Sequence, residues 1–293
     1  AAFLSPTVVS LVLAMLVAQS IRALSSYALT TYRNRLQFDR GHAVEILKFG
    51  RWIFFSSILM FLCASFDRLY LGKVASLSAL GIYGIARALS DMPAFLAARI
   101  GYSVIFPLVS STQSNPRSDV RARLSKIRFK LLLIAATAVA FGVSIADIAI
   151  AVIYDARYHD AQWMLTLLLI GVWPAVLCAL AEYTLLGFGK PIYGVVGSGL
   201  KLTFYLIALP LGYSHFGMLG AIVAIALSDH ARYLGLGIGQ WRERLSFFRQ
   251  DGFATFIFLT LVVAISWLRW LAGFGTAFDS IPLSLAGWIE TAP

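Results

Sequence analysis

The chain has 293 residues, 59% hydrophobic and 13% charged, with a formal net charge of +10. That balance excludes a water-soluble globular domain. The basic residues fall between apolar runs, not along a soluble face, which excludes a nucleic-acid-binding stripe and reads as membrane topology.

A hydrocarbon core about 30 Å thick needs roughly 20 apolar residues at a rise of about 1.5 Å each. That ruler predicts an all-α integral membrane protein of about eight transmembrane helices, at residues 4–31, 51–67, 85–112, 131–153, 162–187, 192–213, 217–239 and 253–272. The second span is short unless it extends through Asp67-Arg68-Leu69, and residues 281–289 are too short to cross and are expected on the surface. If the spans alternate, the segments 32–51, 113–130, 188–191 and 241–252 share one side and carry 15 Lys and Arg, against 3 on the other. The richer side is assigned to the cytoplasm, which puts the helix end near Thr31 there. Trp52, Trp163, Trp241, Trp267 and Trp270, with Tyr154 and Tyr213, fall near span ends, where amphipathic rings favour the interface.

Cys63 and Cys178 lie inside apolar runs and are read as packing residues, with no disulfide framework. His42, His159, His215 and His230 lack ligand spacing, so neither a metal nor a cofactor is expected. The series Arg117, Arg121, Arg123, Lys126, Arg128 and Lys130 repeats near one helical turn. It predicts a basic cytoplasmic extension of the next helix, a topology anchor within reach of anionic headgroups.

Charges inside spans are informative, because one at mid-bilayer costs about 2.5–3.5 kcal/mol even on an insertion scale. Arg87 and Asp91 can neutralise each other at a spacing of four, and Asp229 and Arg232 at a spacing of three. Arg22 and Arg269 are close enough to span ends to snorkel. Arg99 and Lys201 stand deep in their spans with no acid among their helical neighbours. They are expected either to face an anionic ligand or to pair across helices with Glu182, Asp147 or Asp229. Glu182 is alone on its helix, and a carboxyl in so dry a place is a candidate proton carrier. Asp67 and Arg68 sit at the outer end of a span, as a cavity rim or a cap. Pro93, Pro107, Pro174, Pro191 and Pro210, with Gly194, Gly197 and Gly199, interrupt or adjoin spans, as in helices that bend or line cavities. For the glycines, close helix packing is the plainer reading.

Several segments in order carry a resemblance: Phe38-Asp39-Arg40, Leu47-Lys48-Phe49-Gly50-Arg51-Trp52, Phe66-Asp67-Arg68-Leu69-Tyr70-Leu71-Gly72, Leu80-Gly81-Ile82-Tyr83-Gly84-Ile85-Ala86 and Ile105-Phe106-Pro107-Leu108-Val109-Ser110. Tyr154-Asp155-Ala156-Arg157-Tyr158, Leu186-Gly187-Phe188-Gly189-Lys190-Pro191 and Phe216-Gly217-Met218-Leu219-Gly220-Ala221 continue it. Over residues 36–240 the chain resembles the bacterial polysaccharide flippases of the multidrug, oligosaccharidyl-lipid and polysaccharide exporter superfamily. The resemblance implies two six-helix lobes around a central cavity, and transport of polyprenyl-diphosphate-linked oligosaccharide across the bacterial inner membrane by alternating access. It divides the chain into residues 1–50, the last helix of a first lobe with a linker, 51–240, the second lobe, and 241–293, a trailing helix and tail. The chain is therefore expected to be an N-terminally truncated member, and the function to belong to the parent protein.

Under that resemblance, Arg99, Lys201 and Arg87 are the cavity cations expected to receive diphosphate or acidic sugars. Glu182 is the coupling acid, and Asp67, Arg68 and Asp91 form the rim. Expected partners are the lipid-linked oligosaccharide, membrane lipids, and the polymerase and glycosyltransferases of the same pathway, with no nucleic acid. No nucleophile, metal or phosphate-loop constellation appears, so an enzyme is not expected. The rival readings are a peptidoglycan-precursor flippase or drug exporter, a membrane polysaccharide polymerase or ligase, and a scaffold. Deep cations favour anionic cargo, and short external loops disfavour the enzymes.

Overall fold

The computed structural model describes residues 8–29, 40–112 and 116–282. Phe38, Asp39, residues 283–289 of the expected surface tail and the side chains from Leu47 to Trp52 lie outside the described residues. Among the described residues all regular structure is helical: α1 (Val8–Leu29), α2 (Arg40–Val74), α3 (Leu77–Ile100), α4 (Phe106–Ser110), α5 (Arg117–Ile153), α6 (Ala161–Gly187), α7 (Ile192–Arg242) and α8 (Phe248–Leu271). Among the described residues, five helical runs are long and apolar enough to cross a bilayer: Leu77–Ser110, Arg117–Ile153, Ala161–Gly187, Ile192–Arg242 and Phe248–Leu271. The protein is an all-α, multi-pass membrane protein. Within α1 the stretch Val12–Tyr27 is a further, shorter apolar helix.

The chain divides into two compact units, residues 1–53 and 54–293. In the first, α1 exposes its side chains from Val12 to Tyr27. The boundary falls within α2, and the second unit holds the rest of α2, all of α3 to α8 and the whole of the candidate site.

α7 accounts for two of the expected spans. Its 51 residues would reach about 77 Å if straight, more than twice a hydrocarbon core of about 30 Å. The helix instead folds back at Phe216 (φ −131°, ψ 16°) and Gly217 (φ 55°, ψ −140°). Only glycine takes the second conformation without a Cβ clash. Small residues then let the arms close: a Cβ on Gly212 would lie 2.6 Å from the Gly220 carbonyl oxygen, and one on Gly235 would lie 2.7 Å from the Gly197 Cα.

α6 is the axis of the second unit. It is apolar on every face, the pattern of a buried helix, and α3, α5 and α7 all pack on it. Gly171 admits the second arm of α7, since a Cβ there would come within 2.4 Å of the Ala226 Cα. Trp163 is 6% exposed, which corrects the expectation that it sits in the interfacial belt: it packs inward because it lies on this central helix. Trp241, Trp267 and Trp270 are exposed. Near its C-terminal end the run Leu77–Ser110 widens into a π-helical turn at Gly101–Ile105. Pro107 lacks the N–H that would close the regular ladder, and such a loss is a known cause of local widening.

The loops meet as alternation requires. At one end Arg117 lies 3.7 Å over the Phe188 ring, Lys190 is 3.8 Å from Glu243, and Gln250 donates to the Ser125 carbonyl at 2.7 Å. These join segments 113–130, 188–191 and 241–252, all assigned to the cytoplasm. At the other end the Tyr213 hydroxyl donates to the Val74 carbonyl at 2.9 Å.

Two sequence readings need correction here. Arg128 is 0% exposed and pairs with Asp251 at 2.8 Å, so it fixes α5 to α8 and does not meet headgroups. Arg121, Arg123, Lys126 and Lys130 remain exposed. Arg269 does not snorkel freely: it holds both oxygens of Asp147, at 2.6 and 2.5 Å, because α8 packs along α5.

Two outcomes follow from these features. Gly217→Val should cost about 1–3 kcal/mol through backbone strain, read as a lower thermal midpoint of the detergent-solubilised protein. Alkaline phosphatase fused after Arg157 should be active, and silent when fused after Arg244. The reverse pattern would invert the topology.

Candidate functional site

Seven charged residues of the second unit gather in a polar seam beside α6. A cavity of about 260 Å³ is lined there by Cys63 and Ala64 of α2, Arg87 and Asp91 of α3, Ser198 and Lys201 of the first arm of α7, and Asp229 and Arg232 of the second arm. Apolar residues of α6, among them Gly171 and Ala175, form its wall.

Three cations, in four ion pairs, organise the seam. The Lys201 Nζ lies 2.9 Å from each oxygen of Asp229, clamping the two arms of α7 together, and each residue is under a tenth exposed. The Arg232 Nη2 donates to Glu182 Oε2 at 2.5 Å, linking the second arm to α6. Arg87 bridges two acids, Asp67 on α2 and Asp91 one turn along α3, each at 3.3 Å. The Tyr83 hydroxyl also donates to Asp67, and the Arg68 backbone N–H does so at 2.8 Å. The Lys201 ammonium lies 5.5 Å from the centroid of the Tyr205 ring.

The Tyr205 hydroxyl and the Arg232 Nε are buried and have no hydrogen-bond partner among the described residues. Cys63 donates to the Ser198 carbonyl at 3.0 Å, so this thiol ties α2 to α7 at the cavity wall.

The expectation of two unpaired deep cations is corrected. Lys201 has its counter-ion across the hairpin, one of the three partners the sequence offered, because the turn at Gly217 brings the arms face to face. Arg99 has no ion-pair partner among the described residues, but it is exposed and lies outside the cavity lining. The expected local pair Asp229 and Arg232 is also replaced, since each residue bonds to a different helix.

Asp67 is 1% exposed, not at a water-accessible rim: it lies beneath Arg87 and holds the guanidinium from outside the lining. Arg68 is exposed and away from the seam, whereas Asp91 sits at the cavity mouth with 45% of its side chain exposed. Glu182 stands behind Arg232 and does not line the cavity itself. Gly194 makes room for it, because a Cβ there would lie 2.9 Å from its carboxylate oxygen.

Arg232 and Tyr205 were passed over as site residues. Depth along a single span hides them, since their roles come from neighbouring helices. Three cations therefore face four carboxylates, and the resting seam is close to charge balance.

The family profile described as polysaccharide biosynthesis protein matches residues 1–162, more than half of the chain. The chain belongs to this family. Its role is in polysaccharide biosynthesis and its place is a membrane, which it crosses several times. No curated protein and no solved structure matches the chain. The matched stretch includes Asp67, Arg87, Asp91 and Arg99, while Glu182, Lys201, Asp229 and Arg232 lie beyond it.

Breaking a buried pair from one side leaves an uncompensated charge, a loss of about 3–5 kcal/mol. Lys201→Met and Asp229→Leu should each lower the thermal midpoint sharply, and the double variant should recover most of the loss. Additive losses in a double-mutant cycle would show that the two residues do not act as a pair.

Proposed function

We propose that the parent protein is a flippase that moves a polyprenyl-diphosphate-linked oligosaccharide from the cytoplasmic to the outer face of the bacterial inner membrane. The observation that carries this reading is the cavity in which Arg87, Lys201 and Arg232 meet within the spans of a polysaccharide biosynthesis protein. A cavity walled by helices at bilayer depth suits a cargo whose polar end must cross. Guanidinium and ammonium groups suit diphosphate and acidic sugars. The reading is of a transporter, not an enzyme, with the glycosyltransferases that build the glycan and the polymerase that extends it as pathway partners.

The charge balance gives the proposal a mechanism. Each cation is occupied by a carboxylate at rest, so an anionic cargo binds by exchanging with that carboxylate. An acid that takes a proton releases its cation at low electrostatic cost. Glu182 on Arg232 is the coupling acid of this scheme, and Asp91, a looser partner of Arg87 one turn along α3, has better access to water. Release of the cargo lets the pairs reform, and the seam closes on itself. The bound and free states then differ in which helices are tied, which a rocking motion between two openings requires.

The full-length parent, expressed in a bacterium lacking its own flippase, should restore surface polysaccharide. Arg87→Gln should reduce that restoration by about tenfold or more, as for loss of a charged contact in a desolvated site. The paired variant Lys201→Gln with Asp229→Asn keeps the seam neutral and should also fail at matched membrane expression. Full restoration by both would exclude the cavity as the cargo site.

A further inference from the structure

Among the carboxylates of the seam, Asp229 has the least support once its cation leaves. Both of its oxygens are held by Lys201, at 2.9 Å each, and no other donor reaches them among the described residues. Asp67, by contrast, keeps the Tyr83 hydroxyl and the Arg68 backbone N–H if Arg87 departs. Asp91 and Glu182 are less enclosed, with 45% and 28% of their side chains exposed, whereas Asp229 is 7% exposed. Exchange of partners in the seam therefore strands one carboxylate in a dry place, that of Asp229.

A free donor stands one turn away from its cation. Tyr205 follows Lys201 by four residues on the first arm of α7, so the two side chains share a helix face. The Tyr205 ring stacks on Phe66 of α2, with centroids 6.2 Å apart, and the Lys201 ammonium lies 5.5 Å from the Tyr205 centroid. Tyr205 is fully buried, yet its hydroxyl has no hydrogen-bond partner among the described residues. Buried hydroxyls are seldom left so, because an unmade bond there costs more than a made one returns. The hydroxyl is within electrostatic reach of both Lys201 and Asp229. Arg232, three residues along from Asp229, is already engaged by Glu182.

We infer that Tyr205 is the stand-in partner of Asp229: when the anionic head of the cargo draws Lys201 away, the Tyr205 hydroxyl donates to the carboxylate that the ammonium has left. A hydrogen bond to an ionised acceptor is about twice as strong as a neutral one, so it ties the two arms of α7 while the ammonium is on the cargo. At rest Lys201 occupies both oxygens and the hydroxyl goes unbonded, a standing cost that makes the resting pair easier to open. Tyr205 is thus a positioning residue, acting through Asp229 without touching cargo. The inference rests on the flippase reading and names the residue that governs how readily its ion pair exchanges. Phenylalanine at this position keeps the ring on Phe66 and removes only the donor.

Tyr205→Phe in the full-length parent tests this in two ways. In the wild-type background it should leave the thermal midpoint unchanged or raise it, since it removes a stranded hydroxyl. In the Lys201→Met background, where Asp229 has permanently lost its ammonium, the same change should lower the midpoint. In liposomes carrying a fluorescent polyprenyl-diphosphate oligosaccharide, Tyr205→Phe should slow turnover about tenfold while the half-saturating cargo concentration stays within about twofold. The transport arm needs no Lys201 variant, so it decides the matter if Lys201→Met does not fold. A thermal shift of the same sign in both backgrounds would overturn the inference. So would wild-type turnover by Tyr205→Phe, the outcome expected if the hydroxyl merely holds a trapped water; the flippase reading then stands. If the sign reverses but the folded wild type moves no cargo, the exchange of partners at Asp229 stands and the flippase reading fails.

Discussion

A charge in the middle of a bilayer has to be met by another group of the same protein, and the second unit is arranged around that requirement. Lys201 and Asp229 satisfy it for each other only because α7 folds back on itself, which depends on Gly217 and on the glycines between its arms. Arg232 and Glu182 then tie the hairpin to α6, and Arg87 ties α3 to α2 through Asp67. Each bond crosses between helices that have no hydrophobic reason to associate in lipid. The polar contacts hold the bundle together and also define the cavity. Removing a single partner therefore disturbs packing and site alike.

The helical segments were legible in the sequence because the bilayer sets one length scale and the chain obeys it. The two arms of α7 coincide closely with two apolar runs, and the basic extension of α5 begins at Arg117 as the charge series implied. The central position of α6 was also readable in principle, since a helix apolar on nearly all faces has no side to show to water. Rotation about helix axes was not legible. Lys201 and Arg99 look alike along the chain, yet one faces a carboxylate across a hairpin and the other faces outward. Asp229 and Arg232 look like a local pair, but three residues of helix separate them enough for each to find a different neighbour. The decisive facts are small residues opposite large ones, such as Gly194 beneath Glu182, and they appear only when two helices are set side by side.

A seam of exchanged ion pairs suits transport better than a permanent cationic pocket would. A free cation would hold a diphosphate too firmly to release it, whereas carboxylates already in place compete with the cargo and restore the resting state. The same exchange offers a place for protons to enter the cycle. The end of the bundle near Arg128 is held differently, by Arg128, Asp251 and Tyr233 in a buried cluster that joins α5, α7 and α8.

The most direct measurement reconstitutes the full-length parent protein in liposomes with a fluorescent polyprenyl-diphosphate oligosaccharide and follows its transfer between leaflets by quenching from outside. The account predicts transfer by the wild type, little or none by Arg87→Gln, and faster transfer when the acids of the seam are protonated on the loading side. Undiminished transfer by Arg87→Gln, or no transfer by a correctly folded wild type, would contradict it.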